Sequence, residues 1–249
     1  MSTVGIKLRI SAVWGFAALV LATTAAAQAA PLRFDARLLP SGGVLAATAV
    51  IAVAPVVFAS HLPHATCAPC DPSGLLFLDR GTVGDVRPGA AAASDVALLA
   101  AGGAAGLWLA LESRTDLGVV REDLTVLAQA VAAASALTNW SKVVFHRPRP
   151  YRYVAGAAGS GGDAESGLSF PSGHTSAAFA AAFAYWSIQV RRGTATRQTP
   201  RIATLVALAT ATGVLRVVAR KHFPTDVVAG AALGAAVGWS VPRLYPVRR

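Results

Sequence analysis

Residues 215–242 read LRVVARKHFPTDVVAGAALGAAVGWSVP. The first part is polar and basic and contains Arg216-x5-His222-x3-Asp226. The second part, Val227–Pro242, is uncharged, rich in Ala and Val, and without strand-like alternation, so it reads as a helix. Pro224 suits the opening turn of that helix. Gly230, Gly234 and Gly238 recur every fourth residue along one face, a spacing that lets helix backbones approach closely in lipid. Working outward, five more segments have the same character: Gly43–Ala59, Val96–Leu111, Leu124–Ser141, Thr175–Val190 and Ile202–Leu215. Gly102 and Gly106 repeat the glycine spacing in the second of these.

This pattern predicts an all-α fold, a helical bundle of about six mostly membrane-spanning helices. The apolar runs are 14 to 18 residues long. A spanning helix usually needs about 20, so the ends should extend by roughly a turn. Composition points the same way: 54% of the 249 residues are hydrophobic and 14% charged, against about 25% charged in ordinary soluble domains. The competing architecture is a soluble, exported all-α domain with buried Ala-rich helices.

The net charge is +10. There is no long basic run of the kind a nucleic-acid arm shows, so no nucleic-acid partner is expected. Basic residues gather instead in two short stretches, Lys142, Arg147 and Arg149, then Arg216, Arg220 and Lys221. That distribution suits a focused anion site.

The N-terminus has the form of an export signal: Lys7 and Arg9, an apolar stretch Ile10–Leu21, and Ala27-Gln28-Ala29 as a cleavage pattern. Residues 1–29 are therefore a signal peptide or an N-terminal anchor, and residues 30–249 a helical-bundle domain. Arg191, Arg192, Arg197 and Arg201 crowd one connection, and Arg243, Arg248 and Arg249 close the chain. By the positive-inside tendency that side is cytoplasmic, and the loops holding Lys142–Pro150 and Arg216–Asp226 face outward. A cleaved signal followed by six spans would put those loops inside. An outward site therefore requires that the signal-like segment is not translocated or that one segment does not cross, Gly43–Ala59 with its Pro55 being the first suspect.

Three polar patches lie at the mouths of predicted helices: Lys142-x6-Arg149-Pro150, Pro171-Ser172-Gly173-His174, and Arg216-x5-His222-x3-Asp226. Phosphoryl transfer needs positive charge around the phosphoryl oxygens, which Lys142, Arg149 and Arg216 can supply, the arginines through forked bonds. Ser172 is a good N-cap residue, and Gly173 lets the backbone approach an oxygen. His174 and His222 can divide the roles of nucleophile and proton donor. Asp226, four residues after His222, is placed to orient it.

Taken together, the patches resemble the three signature motifs of the type 2 phosphatidic acid phosphatase superfamily, K-x6-RP, PSGH and SR-x5-H-x3-D. Lipid phosphate phosphatases, class A acid phosphatases and vanadium haloperoxidases share that fold. The first two motifs match in full; in the third, Leu215 replaces the Ser. The resemblance spans roughly Leu124 to Gly238. It implies that Lys142, Arg149, Ser172, Gly173 and Arg216 hold phosphate, that His222 attacks phosphorus with Asp226 orienting it, and that His174 protonates the leaving oxygen. It implies no metal and no cofactor. The expected activity is hydrolysis of a lipid phosphate or lipid pyrophosphate in a bacterial-type inner membrane, with the site facing the periplasm or outside. The alternatives are an exported acid phosphatase of broad specificity, a vanadate-dependent haloperoxidase, and a non-enzymatic membrane bundle. Arg147, out of register with the motif, is read as a neighbour that adds positive field. The loop Tyr151–Phe170 is the expected place for substrate choice.

His61-x2-His64-x2-Cys67-x2-Cys70 holds the only two cysteines. A Cys67–Cys70 disulfide, free thiols and a zinc site are all compatible with it. A disulfide is favoured if the loop is outside.

Overall fold

The computed structural model describes residues 33–36, 38–58, 67, 69–156 and 166–248. The export-signal region, His61, His64 and the polar centre of the loop after Tyr151 lie outside the described residues. The elements are β1 (Arg33–Phe34), α1 (Leu38–Val57), α2 (Phe77–Arg80), α3 (Pro88–Glu112), α4 (Leu117–Phe145), α5 (Gly173–Arg191), α6 (Thr199–Val218), α7 (Pro224–Leu244) and β2 (Val247–Arg248). Single 3-10 turns occupy Pro72–Gly74 and Pro150–Tyr153. The fold is all-α apart from β1 and β2, which pair antiparallel with Phe34 opposite Val247.

Five of the six apolar segments lie within one long helix each, which outruns them at both ends, and Gly43–Ala59 is covered by α1 as far as Val57. At α4 the Asp116 carboxylate accepts the N–H groups of Gly118 and Val119 at 2.8 and 3.3 Å, which starts the helix seven residues before Leu124. Among the described residues three helices, α3, α6 and α7, are long and apolar enough to cross a membrane, and Ser41–Val57 is a shorter apolar stretch. Val50, Leu99, Leu137 and Val214 stand exposed on helix faces. Apolar surface of that kind suits lipid better than water.

α1 is continuous through Pro55, the residue suspected of interrupting it. A proline removes the donor that would serve the carbonyl four residues earlier, here Ile51. The indole N–H of Trp140 on α4 donates to that carbonyl at 3.0 Å, and the Asn139 amide donates to Ala52 O at 2.8 Å. Two α4 side chains thus satisfy the backbone groups around the proline, which is how prolines are accommodated in lipid.

α5 runs through the middle of the bundle. Ala178, Ala180, Ala181, Ala182, Ala184, Tyr185 and Ile188 along it are buried, and α3, α4, α6 and α7 all pack on it. Its contact with α7 is made by the glycine stripe. A Cβ at Gly230, Gly234 or Gly238 would lie 2.5, 2.1 or 2.4 Å from the backbone oxygens of Ser172, Ser176 and Ala180. The two backbones therefore touch, and α7 fixes where α5 begins.

At the end of the bundle away from Ser172, the arginines read as a topology signal are also structural. Arg201 pairs with Glu112 at 2.6 Å, and Arg192 reaches the fully buried Asp123. Arg191 donates to the backbone oxygens of Pro242 and Tyr245.

Candidate active site

The three patches come together at one end of the bundle. Lys142 lies in the last turn of α4. His146, in the left-handed conformation (φ 44°), ends that helix and turns the chain into Arg147–Pro150. Arg149 is 3% exposed, and its backbone N–H donates to Ser166 O at 2.9 Å. Ser172 holds the N-cap position of α5, with Gly173 and His174 the first residues of the helix. A Cβ on Gly173 would sit 3.4 Å from the Lys142 ammonium, so α4 and the start of α5 meet there. Arg216 is in the last turn of α6 and buried, with its Nη1 3.3 Å from Ser94 Oγ. His222 follows in the connection to α7, 1% exposed, and Asp226 is fully buried in the first turn of α7.

Ser172 takes the N-cap position, but its hydroxyl makes a side-chain bond to Thr175 Oγ1 at 2.9 Å rather than capping the backbone. Its own N–H donates to Asp226 O at 3.0 Å. The α5 start is thereby tied to α7 through the backbone as well as through the glycines.

The His222 ring is held differently from the expectation. Its Nδ1 is 2.8 Å from the carbonyl oxygen of Ser169 and 3.7 Å from Asp226 Oδ2. A carbonyl can only accept, so Nδ1 carries the proton and Nε2 presents the lone pair. The distance to Asp226 is beyond hydrogen-bond range. The reason is that the Asp226 oxygens are already engaged. Oδ2 accepts the Ser169 hydroxyl at 2.5 Å and the Phe223 N–H at 2.8 Å, and Oδ1 accepts from Arg147 at 2.6 Å. Asp226 is linked to the ring through Ser169, whose carbonyl oxygen meets Nδ1 and whose hydroxyl meets Asp226 Oδ2.

Arg147 therefore does more than add field. It bridges Asp226 and Asp79, meeting Asp79 Oδ2 at 2.7 Å, with both carboxylates fully buried. Thr225 joins the cluster, its hydroxyl donating to Asp79 and accepting from Arg147, each at 2.7 Å. The guanidinium also lies 4.3 Å above the Phe223 ring. Sequence reasoning misses Asp79, Ser169 and Thr225. Thr225 lies inside the third motif and Ser169 two residues before the second, but nothing in their spacing marks them; Asp79 comes from α2, 146 residues before Thr225.

Electrostatics favour a neutral imidazole at His222. Burial pushes it down to about 3 from the usual 6.5, and the nearby Arg149, Lys142 and Arg216 act in the same direction, while Asp226 opposes them. Around His174 the charged groups are Arg216, Asp95 and Lys142. Asp95, from the first part of α3, is not anticipated by the motifs: its Oδ1 lies 2.8 Å from His174 Nε2 and 3.7 Å from Arg216 Nη1. Cys67 and Cys70 form a disulfide. The loop it closes is pinned beside the site, because Cys70 N–H donates to Arg152 O at 2.9 Å and the Arg152 guanidinium donates to Cys67 O at 2.7 Å. Among the described residues no cluster of three or more His, Cys, Asp or Glu could hold a metal ion.

Residues 123–249 match the family model of the PAP2 superfamily, more than half of the chain. The chain belongs to the PAP2 superfamily. No curated protein and no solved structure matches it. The PAP2 match begins at Asp123 near the start of α4 and contains Lys142, Arg149, Ser172, Gly173, His174, Arg216, His222 and Asp226. Membership of the PAP2 superfamily suggests phosphatase activity of the lipid or acid phosphatase kind and supports a phosphoric ester hydrolase. Asp79 and Asp95 lie before the PAP2 match.

Proposed function

We propose that this PAP2 protein hydrolyses a lipid phosphate in a cell membrane through a phosphohistidine on His222. The observation that carries the reading is the Nδ1–H bond from His222 to Ser169 O inside a buried, cation-lined site. The bond leaves the lone pair on Nε2, and burial among cations keeps the ring neutral, as a nucleophilic imidazole requires.

The reaction is a pair of displacements at phosphorus. Lys142, Arg149 and Arg216 hold the phosphoryl oxygens, together with the N–H groups at the start of α5. His222 Nε2 attacks phosphorus and the bond to the leaving oxygen breaks. His174 gives that oxygen a proton. A water then attacks phosphorus, the P–N bond breaks, and His174 takes a proton from the water. Inorganic phosphate leaves and both imidazoles return to their starting states. Arg147 and Asp79 fix Asp226, and Asp226 and Ser169 fix the His222 ring.

A lipid substrate is supported by what lies beneath the site. A cavity of about 520 Å³ is lined by Gly102 and Gly106 on α3, Leu124, Leu127 and Val131 on α4, and Ala181 on α5. Gly102 and Gly106 follow Asp95 by 7 and 11 residues, Ala181 follows His174 by 7, and Val131 precedes Lys142 by 11. These intervals are whole numbers of helical turns to within a fraction of a residue, so these lining residues share helix faces with the site residues, two to three turns further along. An acyl or prenyl chain whose phosphate sits between Lys142 and His174 would enter it. An outward-facing site in an inner membrane is supported by its position at the opposite end of the bundle from Arg191, Arg192 and Arg201.

The test is phosphate release in EDTA by detergent-purified wild type and His222→Ala, with phosphatidate, polyprenyl pyrophosphate and p-nitrophenyl phosphate. Wild-type release that falls by at least about a thousandfold in the variant is the expected result. Equal activity in the variant rules out His222 as the nucleophile, and silence of the wild type on all three substrates rules out the phosphatase reading.

A further inference from the structure

We propose that Asp95 makes the site selective for phosphate monoesters over diphosphates. The inference rests on the reading of His174 as the acid for the leaving oxygen. Asp95 Oδ1 is 2.8 Å from His174 Nε2 and 3.7 Å from Arg216 Nη1, so its carboxylate stands between the acid and one of the phosphate-holding arginines. Its side chain is 55% exposed, which puts it at the mouth of the site rather than in its floor. Ser94, the residue before it, is fully buried and meets Arg216. α3 is therefore anchored at this point, and Asp95 is held at the rim.

A leaving oxygen that takes a proton from His174 must come within hydrogen-bond reach of the ring. With Asp95 on Nε2, that oxygen meets Nδ1 and lies roughly 6 Å from the Asp95 carboxylate. For a monoester the leaving group is an alcohol, and once His174 has protonated it no charge remains. For a diphosphate the leaving group is itself a phosphate, with full negative charge on oxygens that face Asp95. Like charges at that separation repel appreciably near a protein surface. That repulsion points to one substrate class, the lipid monophosphate.

The experiment compares kcat/KM on phosphatidate and on diacylglycerol pyrophosphate, which carry the same tails, for wild type, Asp95→Asn and Asp95→Glu. Asn keeps the shape and can still bond His174 but lacks the charge; Glu keeps the charge. Wild type is expected to prefer the monoester. Asp95→Asn should shift the ratio toward the diphosphate by roughly tenfold, and Asp95→Glu should stay close to wild type. A merely structural role would lower both substrates together. An unchanged ratio in Asp95→Asn, or a wild type that prefers the diphosphate, overturns the assignment while leaving the phosphatase reading intact. A wild type inactive on both lipids overturns that reading and this one with it.

Discussion

The two glycine stripes share a spacing and have opposite fates. On α7, Gly230, Gly234 and Gly238 press against the α5 backbone. On α3, Gly102 has nothing within 4 Å of where a Cβ would stand, and Gly106 meets only the Leu124 and Leu127 side chains at 3.5 and 3.8 Å. One stripe closes a helix–helix contact, and the other leaves a cavity open. Four-residue glycine spacing thus marks a face without a side chain, and the neighbouring helix decides whether that face is filled. On α7 the neighbour starts with Ser172 and His174, so close contact there is a condition of the site's geometry.

Substitution can break this comparison at its strongest point first. Gly234→Ala would put a methyl 2.1 Å from Ser176 O, a clash with backbone that cannot swing away. We expect a loss of about 3 kcal/mol or more in stability, read as a lowered unfolding temperature in detergent, with phosphatase activity falling to background. Gly230→Ala is expected to be next. Its methyl meets Ser172 O at 2.5 Å, a less close approach than at Gly234. Activity should fall at least about tenfold, with a smaller loss of stability than Gly234→Ala. If either variant behaves like wild type, α7 does not fix α5.

The α3 stripe should respond in the other sense. Gly102→Leu would fill part of the cavity without touching a backbone. If the cavity holds a lipid tail, kcat/KM for a long-chain phosphatidate should drop severalfold while p-nitrophenyl phosphate is hydrolysed as before. Equal effects on both substrates would mean that the cavity does not take the tail. The smallest effect belongs to Gly102→Ala. It has open space around it, and alanine is the better helix former by up to about 1 kcal/mol. Its unfolding temperature should stay level or rise slightly, with activity unchanged on both substrates.

The same contrast bears on what can be read from the chain alone. The six helices are legible because each is a long uncharged run, and the run sets the helix whatever its partners are. The motif residues are legible because their separations are short and chemistry constrains them. His174 and His222 lie where their loops have to put them. What stays hidden is every pairing that closes over a long stretch of chain. Asp79 meets Arg147 across 68 residues, and Asp95 meets His174 across 79. A lone Asp between apolar segments looks like any solvated residue until folding brings a cation to it. Arg147 reads as background field for the same reason, since its two carboxylate partners lie 68 and 79 residues away. The ring of His222 shows the finer limit. The i,i+4 spacing to Asp226 signals proximity, but the other bonds of Asp226 and the path of Ser169 decide which oxygen the imidazole meets.

Pro55 withholds one donor and so exposes a single carbonyl on the side of α1, at Ile51, and an indole from α4 comes to it. Only one height and one rotation of α4 against α1 bring Trp140 to that oxygen. A residue usually counted as damage to a helix thus works here as an alignment mark: the gap in one helix's internal ladder is the address at which its neighbour docks.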